Sequence, residues 1–262
     1  MTRWRLGTMG FGYPQWGGVF YPPGLKSAEY LGYYARHFDT VELDTTFHAT
    51  PPVGRVRRWA EATPADFRFC AKAPRAVTHD QPIDRGVGAM TEFLKVMESM
   101  GQKLAVVLLQ FPPHFTVREL SRLDQFLSQM PGDVDLAAEF RHVSWQGDEV
   151  ARMLAKHRVA WVWADYLDEK KPATPTADFL YLRWIGVHKR FPEINYEQVD
   201  VTDRLEWWKA QVERALAART IHTVWGFFNN DFAGYSVATC NRMKRILGME
   251  TPEVKPLRGL FG

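Results

Sequence analysis

Short apolar segments that close on charged or amide residues recur along this 262-residue chain, and a stretch of helical spacing follows all but one of them. The strand readings are Trp4–Phe11, Thr40–Phe47, Phe67–Ala73, Leu104–Phe111, Leu136–His142, Val159–Asp165, Phe179–Gly186 and Thr223–Asn230. In Thr40–His48, T-V-E-L-D-T-T-F-H, residues Val41, Leu43 and Thr45 alternate with Glu42, Asp44 and Thr46, the period-2 pattern of a strand. Leu104–Phe111 is instead a nearly continuous apolar run, as expected of a strand buried on both faces. Helical spacing is read at Leu25–His37, Val53–Glu61, Gly86–Met100, Thr116–Gln129, Asp148–His157, Asp203–Ala218 and Gly234–Leu247. The linker Y-L-D-E-K-K-P-A-T-P-T-A-D has too many prolines and too few apolar positions for a good helix, so the helix after the sixth strand is short or missing.

Strand and helix alternating in this way imply a parallel sheet, because parallel neighbours need a crossover connection. The number of units and the chain length match a (β/α)8 TIM-like barrel in one domain, residues 1–262, with a loosely packed tail from about residue 249. An open doubly wound sheet is the rival, but no G-x-G-x-x-G opens a helix after the first strand.

Composition narrows the partners. The formal charge is +3, with 33 basic and 30 acidic residues interspersed and no polybasic block, so neither nucleic acid nor a membrane surface is demanded. Cys70 and Cys240 have no metal spacing, and a reducing cytoplasm suits two isolated cysteines. The N-terminus lacks a signal-like apolar run, and no apolar span of about eighteen residues occurs. The expectation is a cytoplasmic protein with no membrane partner; the oligomeric state is left open.

In such a barrel the functional residues gather at the C-terminal strand ends. Those ends supply Glu42, Asp44, Lys72, Gln110, Glu139, Arg141, His142, Asp165, Arg183, Asn229, Asn230 and Asp231. A barrel mouth also holds ion pairs that merely satisfy buried charge, but closing a mouth does not require this density of charged groups. Glu42 and Glu139 are the acid/base candidates, with Lys72 as a further catalytic candidate if Arg183 and Arg141 lower its pKa. Arg141 and Arg183, with His79, Gln110, Asn229 and Asp165, are read as substrate-binding, and Trp16, Trp145 and Trp184 as pocket walls. The cations suit a small polar ligand carrying phosphate, carboxylate or other anionic oxygen.

H-x-H, H-E-x-x-H, a P-loop and a G-x-S-x-G elbow are all absent from the sequence. A hard-metal site on Glu42, Glu139 and Asp165 stays open, but Lys72, Arg141 and Arg183 crowd the same mouth and argue against an obligatory metal, so no cofactor is expected. Nucleic acid bound through Lys189, Arg190 and nearby aromatics is the runner-up, and a non-catalytic ligand-binding barrel the third reading.

The sequence resembles the YecE-like family, also called domain of unknown function 72. The resemblance rests on G-F-G-Y-P-Q-W-G-G-V-F-Y-P, F-D-T-V-E-L-D-T-T-F, F-R-F-C-A-K-A-P-R-A-V-T-H, L-L-Q-F-P-P-H-F, A-E-F-R-H-V-S-W, Y-L-R-W-I-G and F-F-N-N-D-F-A-G-Y-S, in order from Gly10 to Ser236. It implies a TIM-like barrel of uncharacterised activity, with recurrent polar positions at Glu42, Lys72, His79, Gln110, Glu139, Arg141, Arg183 and Asn229. Where the family often has V-E-I-N-S-T-F-Y, this chain has Asp44 and His48, which lowers both as candidates for an essential role. The suggested likeness of such proteins to endonuclease-type barrels motivates the nucleic-acid reading, although the histidine cluster of those enzymes is missing here.

Overall fold

A computed structural model describes residues 2–251. Its strands are β1 (Arg3–Thr8), β2 (Thr40–Leu43), β3 (Arg68–Lys72), β4 (Leu104–Gln110), β5 (Asp135–Glu139), β6 (Ala160–Trp161), β7 (Trp163–Asp165), β8 (Lys170–Lys171), β9 (Phe179–Trp184) and β10 (Thr223–Phe228). The α-helices are α1 (Tyr30–Tyr34), α2 (Val53–Glu61), α3 (Arg75–Thr78), α4 (Val87–Met97), α5 (Leu120–Leu127), α6 (Asp148–Lys156), α7 (Thr202–Ala218), α8 (Asn230–Ala233) and α9 (Ser236–Ile246). The strands form two five-stranded sheets, ordered β1-β10-β9-β7-β8 and β2-β3-β4-β5-β6. Every ladder is parallel except the β7–β8 pair. The fold is thus mixed α/β with parallel sheets, as the alternation predicts. Among the described residues no helix is long and apolar enough to cross a membrane.

Two links join the sheets. Met9 bridges Glu42 in parallel, and Gly10 N–H donates to the Glu42 carbonyl at 2.8 Å. At the other side β6 pairs with β5 and β7 with β9, and only Val162 separates β6 from β7. Gly7 makes the first approach possible, since a Cβ there would lie 2.2 Å from the Thr40 carbonyl oxygen.

Packing explains the faces. One apolar cluster draws alternate residues from both sheets, including Cys70, Val106, Leu108, Ala137, Tyr181 and Phe227. The larger cluster lies on the opposite strand faces and takes the apolar stripes of the helices, such as Leu123, Phe126 and Leu127 of α5 and Val150, Met153 and Leu154 of α6. These i, i+3, i+4 spacings put the apolar side chains on one helix face, and removing that face from water is what holds helices to sheet.

Local chemistry corrects several boundaries. The helix predicted over Leu25–His37 is only a 3-10 turn at Ser27–Glu29 followed by α1, where Gly32 is a poor helix former. The second strand stops at Leu43 because the Thr46 hydroxyl donates to the carbonyls of Leu43 (2.8 Å) and Lys72 (2.6 Å), closing a turn. The sixth strand is split, and the linker after it contains β8 in place of a helix. The tail expected to pack loosely lies outside the described residues beyond Thr251; Met249 N–H itself donates to the Lys244 carbonyl at 2.9 Å.

Candidate functional site

Strand parity assembles the site. Cys70, Leu108, Ala137, Tyr181 and Phe227 belong to the inner apolar cluster, so two residues further along Lys72, Gln110, Glu139, Arg183 and Asn229 lie on the same face at the strand ends. Glu42 pairs with Cys70, one layer deeper than Lys72. Asp44, two residues on, is therefore the β2-side carboxylate at the level of Lys72.

At the centre is Arg183, 4% exposed, between two carboxylates that are 0% (Glu42) and 1% (Glu139) exposed. Its Nη2 and Nε donate to Glu42 at 2.7 and 3.0 Å, and its Nη1 donates to Glu139. Each carboxylate also has its own phenol: Tyr181 donates to Glu42 at 2.7 Å and Tyr166 to Glu139 at 2.8 Å. Arg141 adds a 3.1 Å contact to Glu139.

The environments push the two carboxylates apart. Burial drives Glu42 up to about 7, with Arg183 opposing and Asp44 adding to the rise. Burial also raises Glu139, but Arg183 and then Arg141 override it and hold it down at about 2. Burial works against the Arg183 charge, yet Glu42 and Glu139 outweigh it and keep the guanidinium protonated.

Above this floor opens a cleft of 630 Å³ whose walls include Asp44, Lys72, Arg141, Tyr166, Arg183 and Asn229. The Lys72 ammonium sits 4.0 Å over the Phe47 ring, and among the described residues no carboxylate pairs with it. Burial and the Arg183 charge lower its pKa, against the pull of Asp44 and Glu139. Behind Phe47, His79 meets that ring edge-on at 4.8 Å; burial, with Lys72 and Arg75, lowers it to about 4, so it backs the site as a neutral imidazole. One buried carboxylate oxygen of Asp44 has no hydrogen-bond partner among the described residues, its nearest cation being Arg183 at 3.6 Å. Asn229 caps α8 by accepting from Asp231 N–H at 3.0 Å.

The structure therefore brings together Glu42, Glu139, Lys72, Arg141 and Arg183, with Asn229 on the cleft wall and His79 behind it. Four expected residues, Gln110, Asp165, Trp16 and Trp184, do not line the cleft. Gln110 lies at the right level but is buried and donates to the Phe111 carbonyl at 2.6 Å. Asp165 is on the opposite face: Ala160 and Val162 belong to the inner cluster, so Asp165, of odd parity, turns toward α7. There it accepts from Arg204 at 2.7 Å and from the Trp208 indole at 2.5 Å. Glu42, Glu139 and Asp165 consequently do not converge on a shared metal position. Trp16 is corrected too: the 3-10 turn Pro14–Trp16 folds its indole wholly inward, 4.6 Å from the Tyr13 ring and also against Tyr235. Trp184 packs flat on Phe228 at 4.2 Å, away from the cleft, whereas Trp145 lines a neighbouring cavity. Asp165→Ala is expected to lose about 3 kcal/mol of stability by orphaning Arg204 and Trp208. Urea unfolding measures that loss.

Tyr181 had a signal in sequence, since it shares strand parity with Arg183. Tyr166 had none, lying in a linker with no periodicity. Asp44 and His48, discounted because they depart from the family pattern, both line the cleft.

Comparison with known proteins agrees across the chain. A family model described as "Protein of unknown function DUF72" matches residues 5–259. Over 132 residues the chain is 38% identical to the UPF0759 protein YecE of Escherichia coli K12, a match covering 50% of this chain and 47% of the relative. The UPF0759 protein YunF of Bacillus subtilis 168 is 36% identical over 133 residues, with 48% and 47% covered. The chain thus spans about half the length of the curated relatives it matches. Among solved structures, a DUF72 family protein of Thermotoga maritima superposes with a TM-score of 0.76 at 28% identity, covering 94% of this chain and 99% of that one. One from Enterococcus faecalis V583 gives 0.71 at 21% identity, covering 95% and 99%, a likeness of fold.

Proposed function

The chain belongs to the DUF72 family, and from that premise we propose that its cleft is the active site of an enzyme that moves a proton on a small polar substrate carrying one anionic group. The observation that supports this best is Lys72. Its ammonium faces the cleft, has a lowered pKa and no carboxylate partner among the described residues, and stands beside a fixed guanidinium. A lysine so placed, its pKa lowered by burial and the Arg183 charge, is suited to proton transfer or to attack on a carbonyl. Arg141 and the outer edge of Arg183 supply donors for the anionic oxygen, and the half-exposed Asp44 carboxylate on the cleft wall accepts from a substrate hydroxyl or amine.

Glu42 then has a different part from the one its sequence position suggests. With no exposed surface it cannot meet substrate, and it acts as a positioning residue that holds Arg183. Glu139 reaches the wall of the neighbouring cavity and holds Arg141 and Arg183 toward the cleft. The cleft lining balances Lys72, Arg141, Lys171 and Arg183 against Asp44, Asp168, Glu169 and Asp231, so it favours one anionic group over a polyanion such as nucleic acid.

The same reading closes the strands into one eight-stranded barrel, counting β6 and β7 as one stave and leaving β8 outside. The Met9–Glu42 bridge and the single-residue step at Val162 support it. All described strands then serve one domain.

Competitive labelling of lysines with acetic anhydride across pH tests the assignment. Lys72 should titrate below the surface lysines, and methyl phosphate should protect it. Lys72→Ala and Arg141→Ala should each weaken methyl phosphate binding about tenfold, as the loss of one charge-assisted contact predicts. A Lys72 that titrates with the bulk and is indifferent to the anion would sink the proposal.

A further inference from the structure

Beside the mouth a second cavity, of 450 Å³, opens between β5 and β7. Its origin is the break at Val162. β5 pairs with β6 at Ala137↔Ala160 and Ala138↔Trp161, and Val162 N–H donates to the Ala138 carbonyl at 3.0 Å. From there the chain leaves β5: Trp163, Ala164 and Asp165 pair instead with Leu182, Arg183 and Trp184. The ladder between the two staves ends level with Glu139, and the parting strands leave a slot.

The slot is apolar on its sides. Val162 and Ala164 are small and face it, while Phe140 and Trp161 bring rings to it in an edge-to-face pair 6.4 Å apart. Trp145 stacks on Phe140 at 4.1 Å and 12°, which fixes that wall. Its outer rim is the segment from β8 to Ala173. Glu169 and Lys171 line both this cavity and the mouth, so the two compartments meet at that pair, and Glu139 on the slot side accepts from Arg141 and Arg183 of the mouth.

We infer that the two cavities are one bipartite site, in which the side compartment takes a planar aromatic or heteroaromatic group of the molecule whose anionic group lies at Lys72 and Arg141. The small Val162 and Ala164 side chains leave room beside the Phe140 and Trp161 rings, and those ring walls favour a partner that stacks or packs edge-on. Both volumes lie in the range of small-ligand sites, and in the side cavity the rings of Phe140, Trp145 and Trp161 form an apolar wall facing polar residues such as His142, Asp148 and Lys170. The inference rests on the anionic reading of the mouth and gives that substrate its second half.

The experiment compares methyl phosphate, phenyl phosphate and neutral indole by calorimetry and crystal soaking. The probes are applied to the wild-type chain, to Ala173→Trp, which fills the rim, and to Trp161→Ala, which removes a wall. Thermal unfolding shows that each variant is folded. Phenyl phosphate should bind the wild type about tenfold tighter than methyl phosphate, the gain from burying one ring. Both variants should lose that preference while methyl phosphate affinity stays unchanged. Equal affinities for the two phosphates with no indole in the slot overturn the inference and leave the anionic reading standing. Indole bound in the slot and displaced by Ala173→Trp, with neither phosphate bound, supports the aromatic compartment and removes the anionic reading. Binding of none of the three overturns both.

Discussion

Arg183→Met is expected to cost about 3–5 kcal/mol of folding stability at pH 8, the usual penalty for removing one partner from a buried ion cluster. The wild-type guanidinium answers two carboxylates that have almost no contact with water, and methionine fills its volume without a single donor. Glu42 and Glu139 would then face each other as bare charges. Protonation relieves that repulsion, so the loss should shrink at pH 5, where Glu42 already holds its proton. Arg183→Lys should recover only part of the loss, because one ammonium cannot reproduce donation to two carboxylates from a planar fork. Urea unfolding at the two pH values decides the matter. A change below about 1 kcal/mol at both would mean that the cluster is not what holds this end of the sheets.

The two carboxylates should respond to neutralisation with opposite sign. Glu42 has its folded pKa raised from 4.5 to about 7, so its contribution is fully present below 4.5 and is lost as pH rises through 7. Glu42→Gln keeps the neutral form at every pH, and should be more stable than wild type by about 3 kcal/mol at pH 8 and indistinguishable from it near pH 4. Glu139 has its pKa lowered from 4.5 to about 2; its contribution is present above 4.5 and is lost as pH falls through 2. Glu139→Gln should therefore be less stable than wild type by about 3 kcal/mol at pH 7, with the gap closing toward pH 2. Thermal unfolding across pH 3–9 reads both. If Glu42→Gln destabilises the protein at pH 8, the carboxylate is held as an ordinary ion pair and the proposed division between the two acids is wrong. Should Glu42→Gln also lower turnover once a substrate is found, the position would exchange stability for function, as buried charged positions in active sites often do.

Much of this was legible in the chain because strands and helices have different periods. The i, i+3, i+4 stripe of α6 and the apolar run of β4 need no tertiary information, since each follows from which face must leave water. Strand parity likewise put Glu139, Lys72 and Arg183 on one face. Parity fails where the strand's phase cannot be read. In the sixth segment apolar residues occupy both faces, and Asp165 was placed with the mouth residues when the Ala160 and Val162 side chains, not its own, face inward. A one-residue error in phase reverses every side chain.

The sequence by itself determined an alternating α/β fold with parallel pairing, membership of the DUF72 family and the polar residues that crowd the strand ends. Only the tertiary structure decided depth. Glu42 and Asp44 are equivalent in the pattern, but the β2–β3 register sinks Glu42 level with Cys70 and leaves Asp44 in the cleft. It also turned Trp16 into core, brought Tyr166 from an unpatterned linker onto Glu139, and opened the slot at Val162. Periodicity records which face of an element a residue occupies. How far along the stack it lies, and which distant side chain meets it, depends on register and loop closure between segments far apart in the chain, which no local pattern encodes.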